Sequence, residues 1–179
     1  DGGVSSLIGA SMMDREKLYF GVFGDLLFFY DMNSIGNRDI SSNLRIMVVN
    51  NGLGQEFKNY GCGCYVLGDE VDKFIAARGH YGNMKAEVIK SYAESLGFEY
   101  LRATTKEEFK EAAKRFTSKE GTNRPMLLEV ITNTEDESKA FEEMTLISNK
   151  SKIMRKVKTT LDAPALKGVK NTIKDIVKK

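Results

Sequence analysis

Two oxygen-bearing side chains, Asp25 and Asn51, are spaced so that they could share a divalent cation. Asp25 follows the run Leu18–Val22 and Gly24, and Asn51 follows the run Leu44–Val49 and Asn50. Short aromatic and β-branched runs of this kind suit strands buried on both faces of a parallel sheet. The stretch between them has room for a crossover helix, and a right-handed crossover lays the two strands side by side or nearly so. Both residues then leave the sheet at its C-terminal edge, where open α/β sheets place their ligands. A carboxylate and a carboxamide are hard oxygen donors suited to Mg²⁺, which takes its remaining ligands from water and phosphate. A helix opening at Asp25 would turn free N–H groups and a positive dipole end toward that phosphate. Gly24, Gly52 and Gly54 would let the backbone approach a ligand closely. The same residues also read as a plain strand–helix–strand unit in which Asp25 caps the helix and Asn50-Asn51-Gly52 makes a turn.

The elements that must position this pair can be read along the chain. Asp1–Ser11 is dense in small residues and predicts a helix packed closely on the sheet, with Ser5 as a candidate cap. Leu27–Ile35 is apolar nearly all round, which predicts a buried or interfacial helix. Asp31 and Asn33 interrupt it and are read either as structural hydrogen-bonding groups, the preferred reading, or as groups facing a partner subunit. A glycine-punctuated segment follows Asn51 and runs to about Met84, in the manner of a lid or binding loop. Asp69–Ala77 within it predicts a short helix. Ala86–Leu96 has helical apolar spacing and stops at Gly97. Phe98–Ala103 predicts a strand, and Thr105 with Glu108 predicts a capping box for a helix burying Phe109, Ala112, Ala113 and Phe116. Met126–Ile131 predicts another buried strand, and Thr134 with Glu137 a further capped helix. The alternation predicts a three-layer α/β domain, a doubly wound and mostly parallel sheet with helices on both faces.

The spacing from Asp25 to Asn51 is 26 positions. Gly-Asp, a gap of that size and Asn-Asn resemble the diphosphate-binding motif of thiamine diphosphate-dependent enzymes. GDLLFFYDMNS is most similar to the variant in the menaquinone-pathway 2-succinyl-5-enolpyruvyl-6-hydroxy-3-cyclohexene-1-carboxylate synthases, and DGGVSSLIGAS resembles the segment ahead of their motif. Leu26 stands where the general motif has glycine. The resemblance implies that Asp25, the Asn51 side chain and the Leu53 carbonyl hold Mg²⁺. It further implies that backbone N–H groups around Gly24 and Leu26 meet the diphosphate of thiamine diphosphate, with Gly54 beside it. Ser5 would lie near the cofactor, although close packing explains it equally well. Phe57 matches an aromatic in the segment that covers the reactive carbon. Glu56 stands where the menaquinone enzymes are apolar, which leaves open a related role in cell-envelope or sugar metabolism. His80, the one histidine, sits in RGHYGN and is read either as a proton-transfer or anion-binding group or as a loop-stapling side chain. The implied activity is decarboxylation of a small-molecule 2-oxo acid followed by protonation or carboligation. The family also needs an activating glutamate from a separate pyrimidine-binding domain, usually across a subunit interface, so a missing domain and a homo-oligomer are expected.

Composition bounds the remaining classes. The chain has 179 residues, 41% apolar and 29% charged, with net charge +2, as expected of one globular domain. It begins at Asp1 directly in motif-like sequence and is expected to be excised from a longer chain. Residues 1–148 read as the diphosphate-side binding domain and 149–179 as a basic helical tail. The tail carries ten Lys/Arg against two Asp. It is expected to be solvated or docked on the acidic body in preference to a membrane surface, and it lacks the interleaved aromatics of a single-stranded nucleic-acid binder. No P-loop and no GxGxxG after a strand is present, which leaves a non-catalytic phosphate-binding module as the main non-enzymatic alternative. Cys62 and Cys64 are too close for an unstrained disulfide and too few for a zinc site, so reduced thiols in a cytoplasmic protein are expected.

Overall fold

Four apolar runs become four parallel strands. In the computed structural model, which describes residues 2–58, 62–75, 85, 87–121 and 123–161, they are β1 (Tyr19–Gly24), β2 (Leu44–Asn50), β3 (Glu99–Ala103) and β4 (Met126–Ile131). Their spatial order is β1-β2-β4-β3, and every neighbouring pair is parallel. The helices are α1 (Gly3–Met13), α2 (Asp25–Asp31), α3 (Asp72–Ile75), α4 (Glu87–Ser95), α5 (Lys106–Thr117) and α6 (Thr134–Leu161).

Handedness explains the layering. The steps from β1 to β2 and from β2 to β3 advance across the sheet, while β3 to β4 steps back. Right-handed crossovers therefore put α2 and α4 on one face and α5 on the other. Side-chain packing agrees. Val4, Ile8, Phe28, Ile89 and Ala93 pack with Leu44, Ile46, Val48 and Leu127 into one core. Phe116, Met126 and Leu128 form a second core with Phe109, Ala112 and Leu101. The result is the expected three-layer, doubly wound parallel sheet.

Several local expectations are corrected. β1 is not buried on both faces: Phe20 is 46% and Val22 65% exposed. It is an edge strand, and Phe20 makes an edge contact with the Phe116 ring of the second core at 5.7 Å. The helix predicted through Ile35 ends at Asp31 and continues as a 3₁₀ turn, Met32–Gly36. Asp31 accepts from the Ser5 N–H at 2.7 Å and the Ser5 hydroxyl at 2.5 Å, and its carbonyl accepts from the Ser34 hydroxyl at 2.6 Å. Such local bonding competes with helix continuation. Ser5 does not cap α1. That position is Gly2, at φ +75°, a left-handed conformation glycine tolerates at little cost. Thr134 is the first residue of α6, not the residue before it. The capping box at α5 is present in altered form. Thr105 Oγ1 accepts from Glu108 N–H at 3.2 Å, but the Glu108 carboxylate reaches back to the Thr104 N–H at 2.7 Å.

The chain divides into two units, Asp1–Thr134 and Glu135–Lys179. The first holds the sheet. The second holds α6, described as far as Leu161, so the remainder of the basic tail lies outside the described residues. No helix among the described residues is long and apolar enough to cross a membrane.

One buried cation ties β2 to α5. Arg45 is fully buried. Its Nε donates to the Phe116 carbonyl at 2.9 Å and its Nη2 to the Ser118 carbonyl at 3.2 Å. Its Nη1 donates to the carbonyls of Ser42 at 2.5 Å and Leu44 at 3.0 Å. The guanidinium thus satisfies carbonyls at the C-terminal end of α5, where the helix dipole favours a positive charge. Arg45→Met leaves those carbonyls without donors and is expected to cost about 2–4 kcal/mol in urea unfolding. A loss below about 0.5 kcal/mol, the range of an ordinary surface change, would rule this out.

An ion pair between β3 and α5 gives stability a pH dependence. Arg115 grips Glu99 with Nε to Oε1 and Nη2 to Oε2, both at 2.7 Å. This bond holds the Glu99 carboxyl below the ordinary glutamate value. A depressed carboxyl contributes stability above its unfolded value and loses it as pH falls through its folded one. The difference in unfolding free energy between wild type and Arg115→Met is expected to be constant above about pH 5 and to shrink below about pH 4. An equal difference at neutral pH and at about pH 3 would show that the pair does not carry the effect.

Candidate functional site

The β1–β2 ladder decides what can meet at the sheet edge. Gly24 pairs with Val49, so Asp25 and the Asn50-Asn51 dipeptide leave adjacent strands at the same end. Neighbouring strands stand about 4.8 Å apart, close enough for side chains there to share one small ion. Asp25 opens α2 and is only 2% exposed. Gly24 before it is extended, and nothing among the described residues lies within 4 Å of where a Cβ would stand. That leaves open space against the backbone next to the carboxylate.

The turn after β2 is held by its own amides. Asn51 Oδ1 accepts from the Leu53 N–H at 2.9 Å, and Asn50 Oδ1 accepts from the Gly52 N–H at 3.1 Å. Gly52 has φ +82°, which explains why glycine serves there. The chain then folds back on α2. A Cβ on Gly54 would lie 3.0 Å from Leu26 Cδ2 and 3.1 Å from Phe57 Cδ2, so a larger residue would have to push those side chains aside by a few tenths of an ångström. Gly54 N–H donates to the Ile75 carbonyl at 2.9 Å, and Leu53 is buried beside it. Lys58 bridges Asp72 at 2.7 Å and Asp69 at 3.1 Å, tying the 3₁₀ turn Gln55–Lys58 to the start of α3 and the turn before it. Those carboxylates, Asp72 foremost, hold the Lys58 ammonium above its ordinary pKa.

The structure thus brings Gly24, Asp25, Leu26, Asn51, Leu53, Gly54 and Phe57 into one region. Glu56 is exposed on the Gln55–Lys58 turn. Ser5 stands apart, bonded to Asp31 at the other end of α2 and lining an open cleft of about 560 Å³ with Met12, Asn33 and Asn37. Cys62 and Cys64 are free thiols. His80 lies outside the described residues.

Two further residues, Glu129 and Tyr100, stand behind Asn50. Glu129 in β4 is fully buried; its Oε1 accepts from Asn50 Nδ2 at 2.6 Å and its Oε2 from the Tyr100 hydroxyl at 2.5 Å. Burial and the Glu129 carboxylate push the Tyr100 pKa above its ordinary value, so the phenol stays a donor. The available signal was a lone acidic residue inside the strand MLLEVI.

The donor set suits a hard cation. A carboxylate, a carboxamide oxygen and a backbone carbonyl on neighbouring strand ends match the oxygen ligands Mg²⁺ prefers. Asn51 Oδ1 has a second lone pair beyond the one facing Leu53 N–H.

No family model matches the chain. Curated relatives do. It is 36% identical over 143 residues to the 2-succinyl-5-enolpyruvyl-6-hydroxy-3-cyclohexene-1-carboxylate synthase of Phocaeicola vulgatus, covering 80% of this chain and 24% of that protein. The enzyme of that name from Bacteroides thetaiotaomicron is 35% identical over 143 residues, with the same coverage. The one from Christiangramia forsetii is 34% identical over 137 residues, covering 74% of this chain and 21% of that protein. The chain spans about a quarter of the length of these relatives. It is a homologue of the 2-succinyl-5-enolpyruvyl-6-hydroxy-3-cyclohexene-1-carboxylate synthase family over that quarter.

Proposed function

We propose that this chain is the diphosphate-binding part of a thiamine diphosphate-dependent enzyme acting on a 2-oxo acid. Asp25, the Asn51 amide and the Leu53 carbonyl would hold Mg²⁺, and the metal would anchor the cofactor's pyrophosphate. Backbone N–H groups at Gly24 and Leu26 would take phosphate oxygens. The observation that carries this reading is the parallel pairing of Gly24 with Val49, which brings Gly24-Asp25 and Asn50–Gly54 to one sheet edge. The cofactor, when bound, supplies the carbanion chemistry of decarboxylation and carboligation, and the protein binds and orients it. A pyrimidine-binding domain with an activating glutamate, within a homo-oligomer, would complete the site.

Titration calorimetry tests the reading. Thiamine diphosphate is expected to bind weakly with Mg²⁺, to lose its binding heat in excess chelator, and to bind at least about tenfold more weakly to Asp25→Ala and Asn51→Ala. Binding unchanged by chelator or by Asp25→Ala, or heat specific to ADP, would favour a plain phosphate-binding module. Without the complementary domain the chain is expected to turn over no 2-oxo acid. Measurable turnover by the chain alone would contradict the division of labour.

A further inference from the structure

A buried carboxylate is expensive unless donors satisfy it. Among the described residues Glu129 has two, and both are neutral: Asn50 Nδ2 at 2.6 Å and the Tyr100 hydroxyl at 2.5 Å. A carboxylate only accepts, whereas a carboxamide has one donating and one accepting end. Facing Glu129, Asn50 must therefore present its NH₂ group. Its oxygen is then forced toward the other side, where it accepts from the Gly52 N–H at 3.1 Å. Gly52 is the residue at φ +82°, between Asn51 and Leu53.

We propose that Glu129 is a positioning residue: by fixing the orientation of the Asn50 amide it sets the Gly52 turn, and through that turn it aims Asn51 and the Leu53 carbonyl. The effect on the turn stands on the geometry above, and the effect on the metal rests on the cofactor reading. Tyr100 holds the second carboxylate oxygen and keeps Glu129 from rotating away. The end of β2 has its own anchor, because the Thr132 N–H donates to the Asn50 carbonyl at 3.0 Å. Loss of the side-chain relay should therefore loosen the turn and not the strand. Glu129→Gln keeps the size of the side chain but pairs two amides. Either end of Asn50 can then face it, and the orientation of Asn50 is no longer forced.

Hydrogen exchange by NMR on the whole 179-residue chain tests the positioning, and calorimetry with Mg²⁺ and thiamine diphosphate tests its consequence. In Glu129→Gln the Gly52 amide is expected to exchange about tenfold faster while the Ile46 and Val48 amides keep their protection, and cofactor affinity is expected to fall about tenfold, as when an outer-shell partner is lost. Asn50→Ala is expected to reproduce both changes, and the double variant to add little, since both break one relay. Unchanged Gly52 exchange in Glu129→Gln overturns the proposal. So does faster exchange spread evenly over β2 and β4, which marks a merely structural role. A freed Gly52 with unchanged affinity overturns the link to the metal. If Glu129→Gln does not fold, unchanged Gly52 protection in Asn50→Ala overturns the relay. Wild type that binds no Mg²⁺–thiamine diphosphate removes the functional reading, while the exchange data still decide what Glu129 does to the turn.

Discussion

Everything at the candidate site depends on the parallel pairing of β1 with β2. The ladder runs from Tyr19–Leu44 to Gly24–Val49 without a bulge. Strand side chains alternate between faces, so a slip by one residue would carry Leu44, Ile46 and Val48 out of the main core. Their burial therefore fixes the register, and the register places Asp25 beside the Asn pair. The site needs no special device to find its first two residues. It inherits them from a hydrophobic core that the fold requires in any case.

β2 is the spine of this arrangement, with a polar commitment at each end. At its start Arg45 gathers the last carbonyls of α5. At its finish Asn50 engages Glu129 and the Gly52 turn. Both are costly groups to bury, and both are satisfied through long-range partners. The interior of the strand is apolar and gives affinity without direction, whereas its two ends give direction. The segment after Asn51 then returns to α2, where Gly54 lies against the Leu26 side chain.

What could be read from the chain follows from how local each signal is. The strand–helix–strand unit was legible because two short apolar runs flank a stretch of helical length. Gly97 and Thr105 were legible because a helix stop and a helix start each involve a few consecutive residues. The two-sided burial of β1 was misread. An apolar run records that a strand is hydrophobic, not whether a helix covers its second face. Arg45 and Glu129 were not singled out, because each sits within a run that reads as apolar strand, and their partners lie 71 and 79 positions away in the chain. Such polar relays leave no periodicity behind. The Ser5–Asp31 bond is likewise long in sequence, and it places Ser5 at the end of α2 remote from Asp25.

The relatives span about four times the length that this chain covers in them. The most direct measurement is paramagnetic broadening with Mn²⁺ in place of Mg²⁺, since both favour octahedral oxygen sites. With thiamine diphosphate present, the amides of Gly24, Leu26, Gly52, Leu53 and Gly54 should broaden first and together. Broadening that spares these residues and appears elsewhere, for example along the acidic first turn of α6, would refute a shared cation at this edge.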